Sequence, residues 1–272
     1  MALREAAVRL AAVSATPRLD AELLMAHAAG VSRERLLIGL REMTAPDGFA
    51  QLIERRMTHE PVAYITGTRD LWTISLKVGP GVLIPRADSE TLIEAAIEYC
   101  GAAGPKRVLD LGCGPGTLLL AALDQWPQAT GLGLERSAIA RDFARQNVAA
   151  LGMGDRAEIM AGDWTTPGWA DALGRFDLIL ANPPYVETGA ALMDEVGMHE
   201  PAEALFAGDE GLDDYRILVP HLPGLMSDHG VAILEIGAAQ YQAVARIGLD
   251  AGLAGECRRD LGGNDRALIL QR

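Results

Sequence analysis

The chain has 272 residues, of which 49% are hydrophobic, and carries a formal net charge of −13 with a pI near 4.8. This length allows one large α/β domain or a small domain joined to a medium one. No apolar run approaches the roughly 18 residues that span a bilayer. The excess of acidic residues leaves few basic residues for the stripe that binds nucleic-acid phosphates. The cysteines and histidines show neither a disulfide framework nor the spacing of metal ligands.

The first 75 or so residues are predicted to form a small helical domain. Apolar residues recur at helical spacing in residues 3–13, 19–29 and 46–59. Pro61 then ends the helical pattern, and the alternation in residues 64–78 predicts a hairpin that links to about residue 88. The first predicted helix carries charges inside its apolar pattern and lacks a clean signal-peptide core. A cytoplasmic location without a membrane partner is therefore expected.

Residues 89–272 are predicted to form a second, larger domain. A helix is predicted over residues 89–99, and short apolar strands are predicted over residues 107–111, 130–134, 156–160, 176–180, 231–236 and 267–270. Strands that alternate with helical segments predict an α/β fold, with a mostly parallel sheet covered by helices on both faces. Ligands bind such sheets beyond the carboxyl ends of the strands. The loops after those strands are therefore where a functional site is expected.

A glycine-rich turn follows the first of these strands and leads into a predicted helix over residues 118–123. The five residues of the turn are Gly112, Cys113, Gly114, Pro115 and Gly116. Glycine lets the backbone turn sharply and lets a ligand touch the main chain. A dinucleotide-binding fingerprint would need glycine at position 117, which is Thr117. The spacing instead resembles the GxGxG loop of Rossmann-like S-adenosylmethionine methyltransferases, and the plain alternative is a structural strand-to-helix turn.

Acidic and aromatic residues follow the next two strands. Glu135 comes roughly twenty residues after the glycines, a separation at which an acidic side chain can accept hydrogen bonds from ribose hydroxyls. Asp163 is expected to accept from an adenine amino group, with Trp164 as an apolar wall for the base. Taken singly, Glu135 fits a solvated charge, and Asp163 fits a helix N-cap beside a packing tryptophan. Three successive strand ends of this kind favour a cofactor site.

The predicted fourth strand is followed by an NPPY tetrapeptide. Its residues are Asn182, Pro183, Pro184 and Tyr185. The tetrapeptide resembles the (D/N)PP(Y/F) motif of methyltransferases that modify planar amide or exocyclic amino nitrogens. Asn182 Oδ1 and the Pro183 carbonyl would each accept one N–H of the target NH₂, so the nitrogen lone pair is aimed without a conventional base. Tyr185 would stack on the flat target, and a rigid polyproline turn is the alternative.

Four further stretches, residues 60–67, 83–92, 200–208 and 259–266, extend the resemblance over most of the chain. Together with NPPY they resemble the bacterial release-factor glutamine N5-methyltransferases, the PrmC or HemK family. The resemblance implies methyl transfer from S-adenosylmethionine, leaving S-adenosylhomocysteine, to the glutamine of the Gly-Gly-Gln motif in class I peptide chain release factors. It also implies that the helical domain helps to hold the release factor, that residues 112–116, Glu135, Trp164 and Asn182 bind the cofactor, and that residues 182–185 form the glutamine pocket.

The chain departs from the family pattern in three places. Glu135 stands where aspartate is common, and His199 where an aromatic residue is more frequent. In the glycine loop, Cys113 and Pro115 stand at the two variable positions, where the family usually has threonine or serine at one or both. Cys113 is expected to be a packing residue, because nothing nearby in sequence lowers the pKa of its thiol. His199 is expected to be a surface or packing histidine. Arg86 and Glu90 fit either a role at the pocket edge or a structural salt bridge.

Three other functions compete with this interpretation. A glutamine methyltransferase that acts on a ribosomal protein shares NPPY and the fold, but its segment equivalent to residues 84–90 diverges. A DNA adenine N6-methyltransferase would need a target-recognition region and a basic face, which a net charge of −13 disfavours. A non-catalytic binding module would not need the glycine loop, Glu135 and NPPY together.

Overall fold

The structure, a computed structural model, describes residues 1–39 and 44–272. Residues 40–43, inside the predicted helical domain, lie outside the described residues. The helices are α1 Ala2–Leu10, α2 Pro17–Ala29, α3 Arg33–Gly39, α4 Phe49–Met57, α5 Val62–Thr66, α6 Glu90–Cys100, α7 Thr117–Gln125, α8 Ala138–Ala150, α9 Asp194–His199, α10 Asp213–Leu218, α11 Leu222–Leu225 and α12 Tyr241–Asp250. The strands are β1 Thr68–Leu71, β2 Ile74–Lys77, β3 Arg107–Leu111, β4 Thr130–Glu135, β5 Ala157–Ala161, β6 Phe176–Ala181, β7 Met226–Glu235, β8 Ala254–Arg259 and β9 Asp265–Gln271. Short 3₁₀ turns cover Ala87–Ser89, Ala202–Ala204 and Val219–His221.

The described chain divides into two compact units, and neither is contiguous in sequence. The helical unit comprises Met1–Thr68, Val78–Pro80 and Leu192–Glu200. The sheet unit comprises Arg69–Lys77, Gly81–Ala191 and Pro201–Arg272. The segment Leu192–Glu200, which follows the NPPY motif by only a few residues, therefore belongs by its contacts to the helical unit.

The helical unit is built on the apolar faces of its first four helices. Helix α2 begins at Pro17, a residue suited to a first helical turn, and is followed by Gly30 in the left-handed conformation that often ends helices. The largest fully buried side chains of this core are Leu10, Leu24, Leu36 and Ile53. Since these come from α1, α2, α3 and α4 in turn, each helix supplies one apolar side to a common core.

A buried ion-pair network adds α9 to the helical unit. Arg56, only 3% exposed, donates through Nε to Asp20 Oδ2 over 2.7 Å. Its Nη2 donates to Glu195 Oε2 over 2.5 Å. On the same helix His199 places a ring nitrogen 3.2 Å from the Thr58 carbonyl oxygen. These polar contacts explain why the segment Leu192–Glu200 belongs to the helical unit, although its neighbours in sequence on both sides belong to the sheet unit.

The sheet unit contains a seven-stranded sheet of order β5-β4-β3-β6-β7-β9-β8. Strands β5, β4, β3, β6 and β7 are mutually parallel, whereas β9 pairs antiparallel with both β7 and β8. From β3 the chain continues outward through β4 and β5, and β6 then returns to the other side of β3. The strand order therefore reverses between β3 and β6, which is where open α/β sheets bind ligands.

Both faces of the sheet are covered by helices. Alternate side chains of β3 and β6, such as Val108 and Leu178, pack with α6, α7 and α8 on one face. Their neighbours Leu109 and Ile179 pack with α10, α11 and α12 on the other face. A sheet buried on both faces explains why its central strands consist almost entirely of apolar residues.

The α/β fold and its mostly parallel sheet are confirmed, with local differences from the sequence predictions. Strand β8 was not predicted, because its residues at the sheet edge alternate irregularly between exposed and half-buried. Pro61 ends one helical pattern but immediately precedes α5, and the hairpin follows that helix. Within the hairpin Leu71 is buried, although the alternation grouped it with the polar side chains, because the turn at Trp72 reverses the chain.

Candidate active site

The candidate site is a cleft at the carboxyl ends of β3 and β6. Leu111, the last residue of β3, lies in register with Ala181, the last residue of β6. The glycine loop and the NPPY motif therefore start side by side. The cleft between them contains about 880 Å³ of non-atom space, part of which is open to solvent. All of the residues that line it belong to the sheet unit.

Most of the predicted site residues line this cleft. They are Gly112, Cys113, Gly114, Pro115, Glu135, Asp163, Trp164, Asn182 and Pro184. Gly116, Pro183 and Tyr185 are not among the lining residues. The contacts of Gly116 and Tyr185 are described below.

The glycine loop is attached to the neighbouring strand through its own backbone. The N–H groups of Gly112 and Cys113 both donate to the carbonyl oxygen of Leu134, over 2.8 and 3.1 Å. Gly112 has a φ of +73°, and a Cβ there would lie 2.9 Å from Trp164 Cη2. Gly114 has a φ of +55° and faces open space in the cleft. A ligand can therefore touch the main chain at the second glycine, while the first allows the tryptophan ring to pack against the loop.

Gly116 serves the packing of the helix that follows rather than the cleft. Its φ is +90°, and a Cβ would lie 2.8 Å from Leu120 Cδ1. Its N–H donates to the Cys113 carbonyl over 2.8 Å, closing the turn before α7. The third glycine is thus required by the turn and by packing. At this position the geometry fits the structural strand-to-helix turn that was the alternative for the whole loop.

A residue that sequence reasoning missed, Asn147, holds the loop from behind. It is 1% exposed in the middle of α8. Its Nδ2 donates to the carbonyl oxygens of Pro115 and Lys77, over 2.9 and 3.0 Å, and its Oδ1 accepts from the Lys77 N–H over 2.7 Å. Asparagine is a poor helix former, so its place within an otherwise helical pattern was the available signal.

Glu135 ends β4 and is 8% exposed. Its Oε2 accepts from the Gly114 N–H over 2.9 Å, and its Oε1 accepts from the Ser137 N–H over 2.7 Å. Each carboxylate oxygen has a second acceptor site. The side chain is therefore fixed by the glycine loop and retains the capacity to accept from a diol in the cleft.

Asp163 and Trp164 occupy the loop after β5 in two different ways. Asp163 Oδ1 accepts from both the N–H and the hydroxyl of Thr165, over 2.9 and 2.7 Å, and these bonds lower the pKa of the Asp163 carboxyl. Its Oδ1 thus organises a local turn, and no helix follows it in the described stretch before β6, so the helix N-cap that was the alternative is not formed. Trp164 is buried and donates through Nε1 to Asp214 Oδ1 over 2.6 Å. Its ring forms a fixed apolar wall of the cleft.

The NPPY motif is fixed through its tyrosine by the buried carboxylate of Glu235. The Tyr185 hydroxyl donates to Glu235 Oε1 over 3.2 Å, and the Tyr185 carbonyl accepts from Gln240 Nε2 over 3.0 Å. Burial and the charge of Glu235 raise the pKa of Tyr185, so its hydroxyl stays neutral. Asn182 is half-buried at the mouth of the motif, and its Nδ2 lies 3.5 Å from Ser89 Oγ.

A second missed residue, Asp110, places a carboxylate beneath the glycine loop. It is 1% exposed, and its Oδ2 accepts from the Leu119 N–H over 2.9 Å. Its Oδ1 has no hydrogen-bond partner among the described residues, although Asp110 lines the cleft. Burial, with a smaller contribution from the nearby charge of Glu135, raises the pKa of Asp110 to about 7. A lone acid within the apolar strand β3 was the signal for it.

The remaining predicted residues fall at different distances from the cleft. Arg86 lines it, whereas Glu90 accepts from the Trp72 N–H over 2.8 Å and supports the hairpin turn. The Cys113 thiol is 3% exposed, and its burial beside two carboxylates raises its pKa well above the ordinary value. His199 is half-buried in the helical unit. Both residues therefore have the environment expected of packing side chains.

The lining of the cleft fits the cofactor that the sequence predicts. Asp110, Glu135 and Asp163 bring carboxylates to it, and the unpartnered Asp110 Oδ1 is suited to a cationic ammonium or sulfonium ligand. The open face of Gly114 lets such a ligand contact the backbone. Within residues 1–39 and 44–272 no group of three or more His, Cys, Asp or Glu side chains is arranged to hold a metal ion. In the same residues no helix combines the length and apolar character needed to cross a membrane.

Two family models match the chain in succession. Residues 1–67 match the PrmC N-terminal domain, and residues 89–205 match the methyltransferase small domain. Together the two matches extend over both units of the structure, including the glycine loop and the NPPY motif.

Curated relatives match nearly the whole chain. A release factor glutamine methyltransferase of Rhodospirillum rubrum is 40% identical over 265 residues, covering 94% of this chain and 79% of the relative. Another of the same name from Caulobacter vibrioides is 39% identical over 261 residues, covering 93% of this chain and 89% of the relative. Identity at this level over most of both chains shows a common family.

Solved structures share the fold at lower identity. A 16S rRNA methyltransferase from T. thermophilus, solved with AdoMet and guanosine, aligns with a TM-score of 0.55 and 20% identity. The alignment covers 75% of this chain and 49% of that chain. A methyltransferase from Pyrococcus furiosus aligns with a TM-score of 0.53 and 15% identity, covering 72% of this chain and 87% of that chain. At such identity the likeness shows the fold alone.

Proposed function

Because the chain belongs to the family of release factor glutamine methyltransferases, we propose that it methylates the side-chain amide nitrogen of a release-factor glutamine, with S-adenosylmethionine as methyl donor. The expected target is the glutamine of the Gly-Gly-Gln motif in class I release factors. The observation that carries the proposal is the pairing of β3 with β6, which starts the glycine loop and the NPPY motif side by side at one cleft. Methyl transfer needs a binding site for the methyl donor directly beside a binding site for the planar amide.

The sheet unit offers a distinct group for each part of the cofactor. Asp110 Oδ1 and the backbone at Gly114 are suited to the methionine part, and Glu135 to the ribose hydroxyls. Trp164 and the remaining acceptor site of Asp163 are suited to the adenine. When bound, S-adenosylmethionine supplies an electrophilic methyl group on a sulfonium centre. The carboxylates around it favour a cation over a neutral product.

Asn182 and the Pro183 carbonyl position the nucleophile. An amide nitrogen is a weak nucleophile because its lone pair is delocalised into the carbonyl group. When each of the two acceptors takes one N–H of the target, positive charge that develops on nitrogen is stabilised in place and the lone pair is aimed. Once nitrogen has bonded to the methyl group, it carries one proton too many. The two acceptors hold that proton until it passes to solvent. Tyr185, fixed by Glu235, closes the pocket for the flat amide.

The helical unit is the proposed docking surface for the release factor. Its segment Leu192–Glu200 follows the NPPY motif in the chain and exposes Met193 and Met198, at 67% and 66%. Methionine side chains adapt readily to a protein partner. A protein substrate of the translation machinery agrees with a cytoplasmic enzyme. A net charge of −13 supports a protein partner rather than direct binding of nucleic acid.

The proposal is tested by mass spectrometry of a purified class I release factor after incubation with the enzyme and S-adenosylmethionine. We expect one added methyl group, mapped by fragmentation to the glutamine of Gly-Gly-Gln. The control is Asn182→Ala, which should lower turnover by about 10²-fold or more while cofactor affinity and thermal unfolding stay near those of the wild type. Methylation of a ribosomal protein glutamine in place of the release factor would contradict the proposed substrate. Near-normal turnover of Asn182→Ala would contradict the assigned role of the motif.

A further inference from the structure

Behind the NPPY motif lies a buried polar network that joins three regions of the chain. Its centre is Glu235, the last residue of β7, which is 1% exposed. Ser89, also buried at 2%, donates its hydroxyl to Glu235 Oε2 over 2.5 Å. The Tyr185 hydroxyl donates to Glu235 Oε1. So far Glu235 has been described only as the acceptor that fixes Tyr185, and Ser89 has been given no role. A buried carboxylate is costly unless it is satisfied by hydrogen bonds in this way.

Several groups around Glu235 oppose the effect of its burial. Burial raises the pKa of Glu235, whereas the hydrogen bond from Ser89, the charge of Arg266 and the hydrogen bond from Tyr185 stabilise the carboxylate form. Arg266 is itself held by Asp260 and Asp88, at 3.1 and 3.3 Å from its Nη2. Two hydroxyl donors and a guanidinium thus face the same buried side chain. An ionised carboxylate can only accept hydrogen bonds.

The direction of each hydrogen bond in the network follows from that restriction. A serine hydroxyl has one hydrogen, and Ser89 gives it to Glu235. Ser89 Oγ is therefore left as an acceptor toward Asn182. Asn182 therefore directs its Nδ2, the donor of its side-chain amide, to Ser89 Oγ at 3.5 Å. Its Oδ1, the acceptor of the same amide, then points away from Ser89. Catalytic contacts of this length often tighten when substrate binds.

We propose that Glu235 is a positioning residue for methyl transfer, which acts through Ser89 to select the amide orientation of Asn182 with Oδ1 as the acceptor for the target nitrogen. The reversed orientation would present Nδ2, a donor, to the N–H groups of the target and would oppose the reaction. The inference rests on the proposed function, because it concerns the same acceptor. It also gives a role to Ser89, which lies in one of the stretches that carry the family resemblance.

The test uses the full-length enzyme and the variant Glu235→Gln, which keeps the size of the side chain but adds two N–H donors. Glutamine can donate to Ser89 Oγ, so Ser89 becomes free to donate to Asn182 Oδ1 and to reverse the amide. We expect kcat for release-factor methylation to fall about 30-fold to 100-fold, the cost typical of a misplaced reacting group. The Kd for S-adenosylmethionine should stay within about twofold of wild type, because Glu235 is not among the residues that line the cleft. The KM for the release factor should also stay within about twofold, because the side-chain oxygen of the new glutamine still accepts from the Tyr185 hydroxyl that closes the amide pocket.

A matched control is Glu256→Gln. Glu256 also accepts from a tyrosine hydroxyl, that of Tyr99 over 2.5 Å, but it lies on β8 at the sheet edge. The same chemical change there should leave kcat unaltered. Ser89→Ala, which removes only one hydroxyl, provides a second test should Glu235→Gln fail to fold, and it should lower kcat to a similar extent.

The double variant Glu235→Gln, Ser89→Ala decides whether the two residues act along one path. We expect the kcat of the double variant to equal that of the single variant with the lower kcat, because both changes disturb the same orientation of Asn182. Multiplicative losses would overturn the inference, as would a Glu235→Gln enzyme with near-normal kcat or with a parallel loss of cofactor affinity. Wild-type enzyme is assayed alongside. If it leaves the release factor unmethylated, the proposed function fails, whereas equal methylation by wild type and Glu235→Gln overturns this inference alone.

Discussion

The indole Nε1 of Trp164 lies 2.6 Å from Asp214 Oδ1, so a side chain of α10 fixes the ring that forms one wall of the cleft. The opposite edge of the ring packs against Gly112, where a Cβ would lie 2.9 Å from Cη2. The glycine loop and the tryptophan are therefore set relative to each other before any ligand binds. Preformed sites of this kind lose less conformational entropy on binding.

This hydrogen bond should matter for both stability and cofactor affinity. Asp214→Ala would leave the buried indole N–H without a partner, a loss of about 1–3 kcal/mol in the free energy of unfolding. We expect the Kd for S-adenosylmethionine to rise severalfold, measured by calorimetric titration. Asp213→Ala is the matched control on the same helix. Asp213 pairs with Arg216 at the surface, and its loss should cost about 0.5 kcal/mol or less. Equal behaviour of the two variants would contradict the assigned role of Asp214.

Gly112 should tolerate no side chain. Gly112→Ala adds a Cβ that meets the Trp164 ring, at a φ of +73° that already disfavours alanine. The control is Gly152→Ala, which has a similar φ of +67° but nothing within 4 Å of the added Cβ. We expect both variants to be destabilised by about 1 kcal/mol through the backbone. Only Gly112→Ala should in addition weaken cofactor binding, by about tenfold or more, in a titration that follows tryptophan fluorescence. Similar affinities for the two variants would refute the steric argument.

Cofactor binding should depend on pH through Asp110, whose pKa is raised to about 7 by burial. A cationic ligand favours the ionised carboxylate. Affinity for S-adenosylmethionine should therefore increase as pH rises from about 6 to about 8, with release of a proton on binding. Calorimetry in two buffers of different ionisation enthalpy measures that proton. In Asp110→Asn the affinity should be lower and nearly independent of pH over this range. An unchanged pH profile in that variant would exclude Asp110 as the origin.

The same carboxyl should reduce the stability of the unliganded enzyme as pH rises. Its pKa is higher in the folded state than the ordinary aspartate value of 3.8, so between about pH 4 and about pH 7 the folded state binds more protons than the unfolded state. The contribution of Asp110 to the free energy of unfolding therefore falls with increasing pH across that window. Thermal unfolding of Asp110→Asn should show a smaller fall, because its amide still accepts from the Leu119 N–H without acquiring charge.

The buried ion pairs of the helical unit should be costly to break. Arg56→Met removes the partner of Asp20, which is 6% exposed, and should lower the free energy of unfolding by about 3–5 kcal/mol. Arg9→Met is the control in the same unit. Arg9 pairs with Glu54 at the surface, with side chains 47% and 63% exposed, and its loss should cost less than about 1 kcal/mol. Chemical denaturation followed by circular dichroism compares them, and equal midpoints would contradict the prediction.

Hydrophobic patterning was sufficient to predict most of the sheet. The central strands are apolar runs between turns, and the structure has each of the six predicted strands to within about one residue, apart from β7, which starts five residues earlier, and β9, which is longer at both ends. The unpredicted strand β8 has mixed burial because only its partner β9 and helix packing cover it. Local patterns carry information about a strand that is buried on both faces and much less about a half-exposed edge strand.

The candidate site was only partly predictable for a related reason. Motifs such as the glycine loop and NPPY are continuous in sequence, so their residue types and spacing identify them. Asp110 is the one acid of strand β3, Glu235 is the acid that ends the apolar second half of β7, and Asn147 is a single amide in a helix. What these three do depends on partners that are far away in the chain, such as Ser89, which lies 146 residues before Glu235. Contacts at that separation are set by the fold.

The discontinuity of the helical unit has a consequence for how the chain is made. Arg56 meets its second carboxylate partner, Glu195, 139 residues later in the sequence. At a synthesis rate of about 5–20 residues per second, that partner emerges from the ribosome roughly 7–28 s after the arginine. The first helices therefore spend that time with the network incomplete, and most of the sheet has been synthesised before the unit can close. Although the helical unit comes first in the chain, it is completed only after β6 and the NPPY motif have been made.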